Sequence, residues 1–332
     1  MLIVTAKAST PSFSPVNIKK PLKLLQGDTI GLVSPSGAVF NNEPIDVAIE
    51  SLEKFGWNVK VSKHLRERYG HLAGTDRQRA SEINDMFEDR SIKGIICLRG
   101  GSGAARILEM LNYPVICKNP KIFVGYSDIT AFQLALYKKT GLITFHGPVG
   151  ISSWDEFSRN HFTDLLFQNQ MMNYENPPKK ESDWVPIRHR TRTISSGTTR
   201  GKLLGGNLSV LCGLVGSEYI PNFKGSLLFI EEVNEELYRV DRLMSQLQLS
   251  GVLSEINGFI FGKCTNCLPG RGYGSLTFDE IMDHYIKPLG VPSFSGSMIG
   301  HIDSKFTVPL GIEAEMDADK GTFQLLERAL HD

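Results

Sequence analysis

Short apolar runs alternate with segments of helical period from Asp28 to Phe145, and this alternation constrains the fold more than any other feature of the chain. Thr29–Ser34 is an apolar run closed by the loop Ser34-Pro35-Ser36-Gly37. Pro44–Phe55 carries Ile45, Ala48, Ile49 and Leu52 at helical spacing, and Trp57–Val61 alternates like a strand. Thr75 caps a predicted helix with Ala80, Ile83, Met86 and Phe87 on one face. Gly94–Leu98 is apolar throughout, and Arg99-Gly-Gly-Ser-Gly103 opens the next helix. Ile122–Val124, a helix after Ser127, and Leu142–Phe145 complete the series. Strands that are apolar without alternation are covered on both faces, so the pattern predicts a parallel α/β sheet between helical layers.

Residues 150–200 lose this order and read as a connector with local helix around Phe157–Phe167. A second unit begins at Gly201. Gly205-Gly206-Asn207 reads as a turn before an apolar helix, and Leu227–Ile230 as a strand ending in Glu231-Glu232. Leu237, Val240, Leu243, Met244 and Leu247 form a helical stripe, Phe259–Phe261 a strand, and Ala318–Gly321 a hairpin turn. The expected organisation is a tail or arm over 1–24, a Rossmann-like unit over 25–165, a connector over 166–200 and a smaller mixed α/β unit over 201–332.

Composition removes several function classes. Lys+Arg and Asp+Glu are 36 each, so the basic excess of a dedicated nucleic-acid binder is missing. There is no apolar run of the roughly 18 residues needed to span a membrane. Met1–Ala6 is too short for a secretory core, so a cytoplasmic location is expected, with a degenerate export signal as the alternative. Cys97, Cys117 and Cys212 lie in apolar contexts and read as buried thiols. Cys264-Thr-Asn-Cys267 lacks the further ligands of a zinc site, and Pro269 and Gly270 spoil a redox helix start, so the pair reads as incidental cysteines. Neither a metal nor a cofactor is expected.

Gly125-Tyr126-Ser127-Asp128-Ile129-Thr130 is the stretch richest in chemistry. A strand, a sharp turn bearing a serine and a helix lift the hydroxyl clear of the sheet, above free N–H groups. A serine that only caps a helix gives the same pattern. A nucleophilic serine needs a base and an orienting acid. His71, His146 and His301 stand at loop or strand-end positions, and Glu231 ends a buried strand where a cleft is expected. Read alone, Glu231 fits a solvated strand terminus better than an active-site acid, and His301 fits a satisfied loop histidine as well as a base. Arg99–Gly103 suits a phosphate, a carboxylate or a developing oxyanion, but no Walker Lys-Ser/Thr follows it. A non-catalytic protein with that loop as an anion cradle is a separate reading.

Taken together and in order, these stretches resemble the LD-carboxypeptidases of murein recycling and the related microcin C immunity peptidases. The resemblance rests on Gly27–Ser36, Arg99–Gly103, Gly125–Thr130, His146-Gly-Pro148, Gly205-Gly-Asn207, Phe229–Glu232 with Tyr238 and Asp241-Arg242, and Gly300-His301 with Pro309-Leu-Gly311. It implies a serine peptidase without a metal, in which Ser127 is the nucleophile, His301 the base and Glu231 the orienting acid. It places the oxyanion hole on backbone N–H groups of Gly101 and Asp128, with Gly100 as a further donor. It also implies a Rossmann-like amino-terminal domain, a smaller mixed carboxy-terminal domain, a homodimer and a murein peptide substrate cut to release D-Ala. An aminoacyl-adenylate analogue is the alternative, with Trp184 either stacking on the base or packing in the domain seam. Two departures stand out: Glu232 where the family reads Asp, and Ser102 where it often reads Tyr.

Overall fold

The computed structural model describes residues 17–178, 184–185, 189–270 and 274–332. Most of the predicted tail or arm and part of the expected connector lie outside them. The described part of the arm is docked. Leu24 is fully buried, and Lys19 donates its N–H to the carbonyl of Gly141 at 2.8 Å.

The first half supplies β1 (Thr29–Val33), β2 (Asn58–Val61), β3 (Ile92–Cys97), β4 (Ile122–Gly125) and β5 (Thr144–His146). Its helices are α1 (Glu43–Glu53), α2 (Asp76–Glu88), α3 (Tyr113–Lys118) and α4 (Thr130–Thr140). α2 starts with the capping box between Thr75 and Gln78, as the Thr75 signal predicts. Strands β2-β1-β3-β4-β5 run parallel. The segment after Gly103 is a 3-10 helix, Ala104–Met110, rather than the α-helix expected.

The expected connector is only partly a connector. After α5 (Glu156–Leu166) it contributes β6 (Asn173–Tyr174) and β7 (Arg192–Ser195). The rest of the chain adds β8 (Thr198–Asn207), α6 (Leu208–Leu214), β9 (Leu227–Val233), α7 (Leu237–Leu249), β10 (Gly258–Thr265), β11 (Ser293–Ser295), β12 (Val308–Leu310), β13 (Glu313–Asp317) and β14 (Thr322–Leu325). Eight of the strands form a mixed sheet, β6-β14-β13-β8-β9-β10-β11-β7. The ninth, β12, leaves this unit and pairs antiparallel with β5 at the edge of the first sheet. Its Pro309 is tolerated because an edge strand need not donate on both sides. Just beyond it, Gly311 donates to the carbonyl of Leu203 at 2.7 Å, and Leu203 to that of Ile312 at 2.9 Å. Residues 308–312 therefore bond to both sheets.

The expected turn at Gly205-Gly206-Asn207 is instead the last part of β8, which enters α6 directly. The glycines are there for close approach. A Cβ on Gly205 would lie 1.7 Å from the carbonyl oxygen of Phe229, and one on Gly206 2.5 Å from the Thr130 side chain. The Asn207 side chain caps α6 by accepting from Val210 N–H, and its own backbone N–H donates to the Thr130 hydroxyl oxygen at 2.9 Å. α4 is buried almost all round, as a helix packed between two layers must be.

Cys264 and Cys267 form a disulfide, contrary to the reading as incidental cysteines. Their three-residue separation across the turn after β10 brings the Cα atoms to 5.5 Å, within bridging range. Cys97 and Cys212 are buried thiols; Cys117 is half-buried. No helix among the described residues is long and apolar enough to cross a membrane.

Candidate active site

β4 ends at Gly125, and the backbone turns sharply through Tyr126 and Ser127 into α4. Ser127 has φ of 66°, a left-handed conformation that costs a non-glycine residue about 1–2 kcal/mol. Neighbouring elements pin this turn. Gln133 on α4 donates to the carbonyls of Gly125 and Phe145 at 2.8 and 2.7 Å, tying together the ends of β4 and β5. The Asp128 carboxylate accepts from the Ser36 hydroxyl and, at 2.8 Å, from Ala104 N–H. It thereby joins the loop after β1 and the exit of the glycine loop to the serine turn.

The glycine loop lies directly against the serine. A Cβ on Gly100 would stand 2.6 Å from Ser127 Cβ, so only glycine lets the backbone pass there. Gly101, at φ of 135°, packs on Gly37. Fully buried Arg79 on α2 clamps the same region by donating to the carbonyls of Pro35 and Gly103. Arg79 and Asp128 carry this support, and sequence reasoning assigned it to neither. Their partners come from loops tens of residues away, which no local pattern announces.

From the second sheet, β9 brings Glu231, which is fully buried. His301 Nδ1 lies 2.8 Å from Glu231 Oε2. Gly300 has φ of 128°, and a side chain there would collide with the Glu231 carboxylate, so the glycine before the imidazole is required. Glu232 points the other way. It accepts from Asn207 Nδ2 at 3.0 Å, Val233 N–H at 2.8 Å and Ser209 N–H at 2.8 Å, and also from the Ser209 hydroxyl. It thus completes the start of α6 and does not reach His301. Burial raises the pKa of its carboxyl.

Ser127 and His301 line one cavity of ≈ 500 Å3, together with Gly100, Gly101, Tyr126 and Lys305. They make no hydrogen bond to one another here. Such contacts often close only around a substrate. The Tyr126 ring lies 4.8 Å from that of His301, and burial pushes the Tyr126 hydroxyl up to about 12. Of the three histidines singled out by sequence, only His301 pairs with Glu231. His71 is exposed, and His146 is buried between Tyr126 and Phe229. Trp184 is 95% exposed and does not pack in the seam.

Both ring nitrogens of His146 are buried without a hydrogen-bond partner, and burial lowers its pKa to about 4. This folded value lies below the unfolded one of ~6.5. The stability from keeping the ring neutral is therefore complete above pH ~6.5 and is lost as pH falls toward 4. Its size is about 3 kcal/mol. The urea midpoint is expected to fall over this window, and His146→Leu to flatten the fall. An unchanged slope in that variant would refute the assignment.

A hydroxyl on a strained strand-to-helix turn shares one cavity with an imidazole held by a buried carboxylate, the set of groups that two-domain α/β hydrolases of the serine type use. Comparison with known proteins narrows the class. Residues 30–147 match the LD-carboxypeptidase N-terminal domain and residues 200–316 the LD-carboxypeptidase C-terminal domain. A probable murein peptide carboxypeptidase of Bacillus subtilis is 34% identical over 308 residues, covering 91% of this chain and 93% of that protein. The structure of the microcin C7 self-immunity protein MccF in complex with aspartyl sulfamoyl adenosine superposes with a TM-score of 0.84 at 28% identity, covering 94% of this chain and 100% of that one. The structure of a muramoyltetrapeptide carboxypeptidase from Oxalobacter formigenes gives 0.75 at 27% identity, covering 90% and 97%. The chain belongs to the LD-carboxypeptidase family of serine peptidases.

Proposed function

We propose that this enzyme hydrolyses the L,D-peptide bond of a murein tetrapeptide and releases its terminal D-Ala. Ser127 attacks the carbonyl carbon while His301 takes its proton, and Glu231 holds the imidazole and balances its charge. The backbone N–H groups of Gly101 and Asp128, with Gly100 beside them, receive the oxyanion. His301 returns the proton to the departing amine, and water then frees the acyl-enzyme. The observation that carries this reading is the 2.8 Å contact from His301 to the fully buried Glu231, in the cavity that Ser127 also lines. A homodimer in the cytoplasm is proposed with it. The Cys264–Cys267 disulfide favours an oxidising compartment instead. Cell fractionation decides between them.

The competing substrate is an aminoacyl-adenylate analogue. Its support is the exposed indole of Trp184, free to stack on a base, and the likeness to MccF. Measuring D-Ala release from the tetrapeptide beside hydrolysis of an aminoacyl sulfamoyl adenosine separates the two. The murein reading expects the tetrapeptide to have the higher kcat/KM. A preference for the nucleoside substrate would overturn it.

A further inference from the structure

We propose that Lys305 binds the free α-carboxylate of the peptide's last residue and so restricts the site to chain ends. The inference rests on the peptidase reading above. Lys305 is only 5% exposed, yet it lines the cavity shared by Ser127 and His301. Its ammonium lies 5.0 Å from the centre of the Tyr126 ring. Among the described residues the ammonium's one hydrogen bond, to the carbonyl of Asp303, is stretched to 3.5 Å. Among the described residues it forms no ion pair. A buried ammonium with three donors and one weak acceptor is costly unless a further partner arrives. The other cation at the cavity is already engaged: Arg99 donates through Nη1 to Ala38 and through Nε to Gly100. Burial lowers the Lys305 pKa, while Asp303, Asp155 and Glu231 oppose that and favour its charge.

The position suits the task. In a terminal α-amino acid the amine and the carboxylate share one carbon. The amine is the group that receives the proton from His301, so the carboxylate must lie on the same side of the site. Lys305 and His301 both lie within about 5 Å of the Tyr126 ring centre and line the same cavity. A carboxylate there would fill the open donors of Lys305, whereas a neutral carboxamide would leave the charge unpaired.

The test is a binding measurement that needs no turnover. Ser127→Ala protein is titrated calorimetrically with the D-Ala-terminated tetrapeptide and with the same peptide bearing a C-terminal carboxamide. The acid is expected to bind about 10- to 100-fold more tightly, the range of one charged hydrogen bond. Lys305→Met in that background should erase the preference and leave carboxamide affinity unchanged. Lys305→Arg should restore part of it. Lys305→Gln serves where Lys305→Met does not fold. Equal affinity for the two peptides, no binding of either, or a preference that survives without the lysine overturns the inference. D-Ala release by the unsubstituted enzyme is scored separately. Its absence would sink the peptidase reading while the binding ratio still judged Lys305.

Discussion

Ser127→Ala is expected to reduce D-Ala release by at least about 10⁴-fold, leaving only the background that binding and the oxyanion donors supply. That is more than about 5 kcal/mol of transition-state stabilisation carried by one oxygen atom. The fold should survive the change. Ser127 makes no hydrogen bond to His301, and alanine meets the same backbone demand at φ of 66°. Ser127→Gly sharpens the test, because glycine relaxes that backbone while loosening the unfolded chain. It is expected to be equally inactive and within about 1 kcal/mol of the parent in urea unfolding. Normal turnover in either variant would remove Ser127 from the chemistry.

Glu231→Gln is expected to cost about 10³- to 10⁴-fold in kcat, with KM little changed, as amide replacement of the orienting acid does in other triads. The carboxylate is fully buried and holds His301 through Oε2, while Oε1 has no partner. A glutamine keeps the shape but cannot stabilise the imidazolium, and its amide would bury donors with nothing to receive them. Glu232→Gln is the control. Its partners are the start of α6 and Val233, so it should lower stability rather than kcat. A larger catalytic loss from Glu232→Gln than from Glu231→Gln would reverse the assignment of the acid.

Much of the first sheet was legible because its strands are buried on both faces and read as plain apolar runs between helices of regular period. The serine turn was legible for a related reason: strand, turn and helix follow one another within a few residues. Other features were set by distant partners. Gly205 and Gly206 look like turn glycines, but what they admit is the Phe229 carbonyl and the Thr130 side chain. Nothing local marks Val308–Leu310 as a strand of the other sheet, since three residues around a proline carry no period. The choice between Glu231 and Glu232 depended on alternation along β9, which faces one toward Gly300 and His301 and the other toward α6. Lys305 looked like one lysine among many until the folded chain surrounded it.

The ribbon at residues 308–312 rivets the two lobes together. It pairs with β5 on one flank and with Leu203 of β8 on the other, only a few residues beyond His301. Swinging the lobes apart like a clamshell would have to strip that ribbon from at least one sheet. Any tightening of Ser127 onto His301 is therefore expected to come from local shifts of the loops around the cavity rather than from wholesale lobe closure.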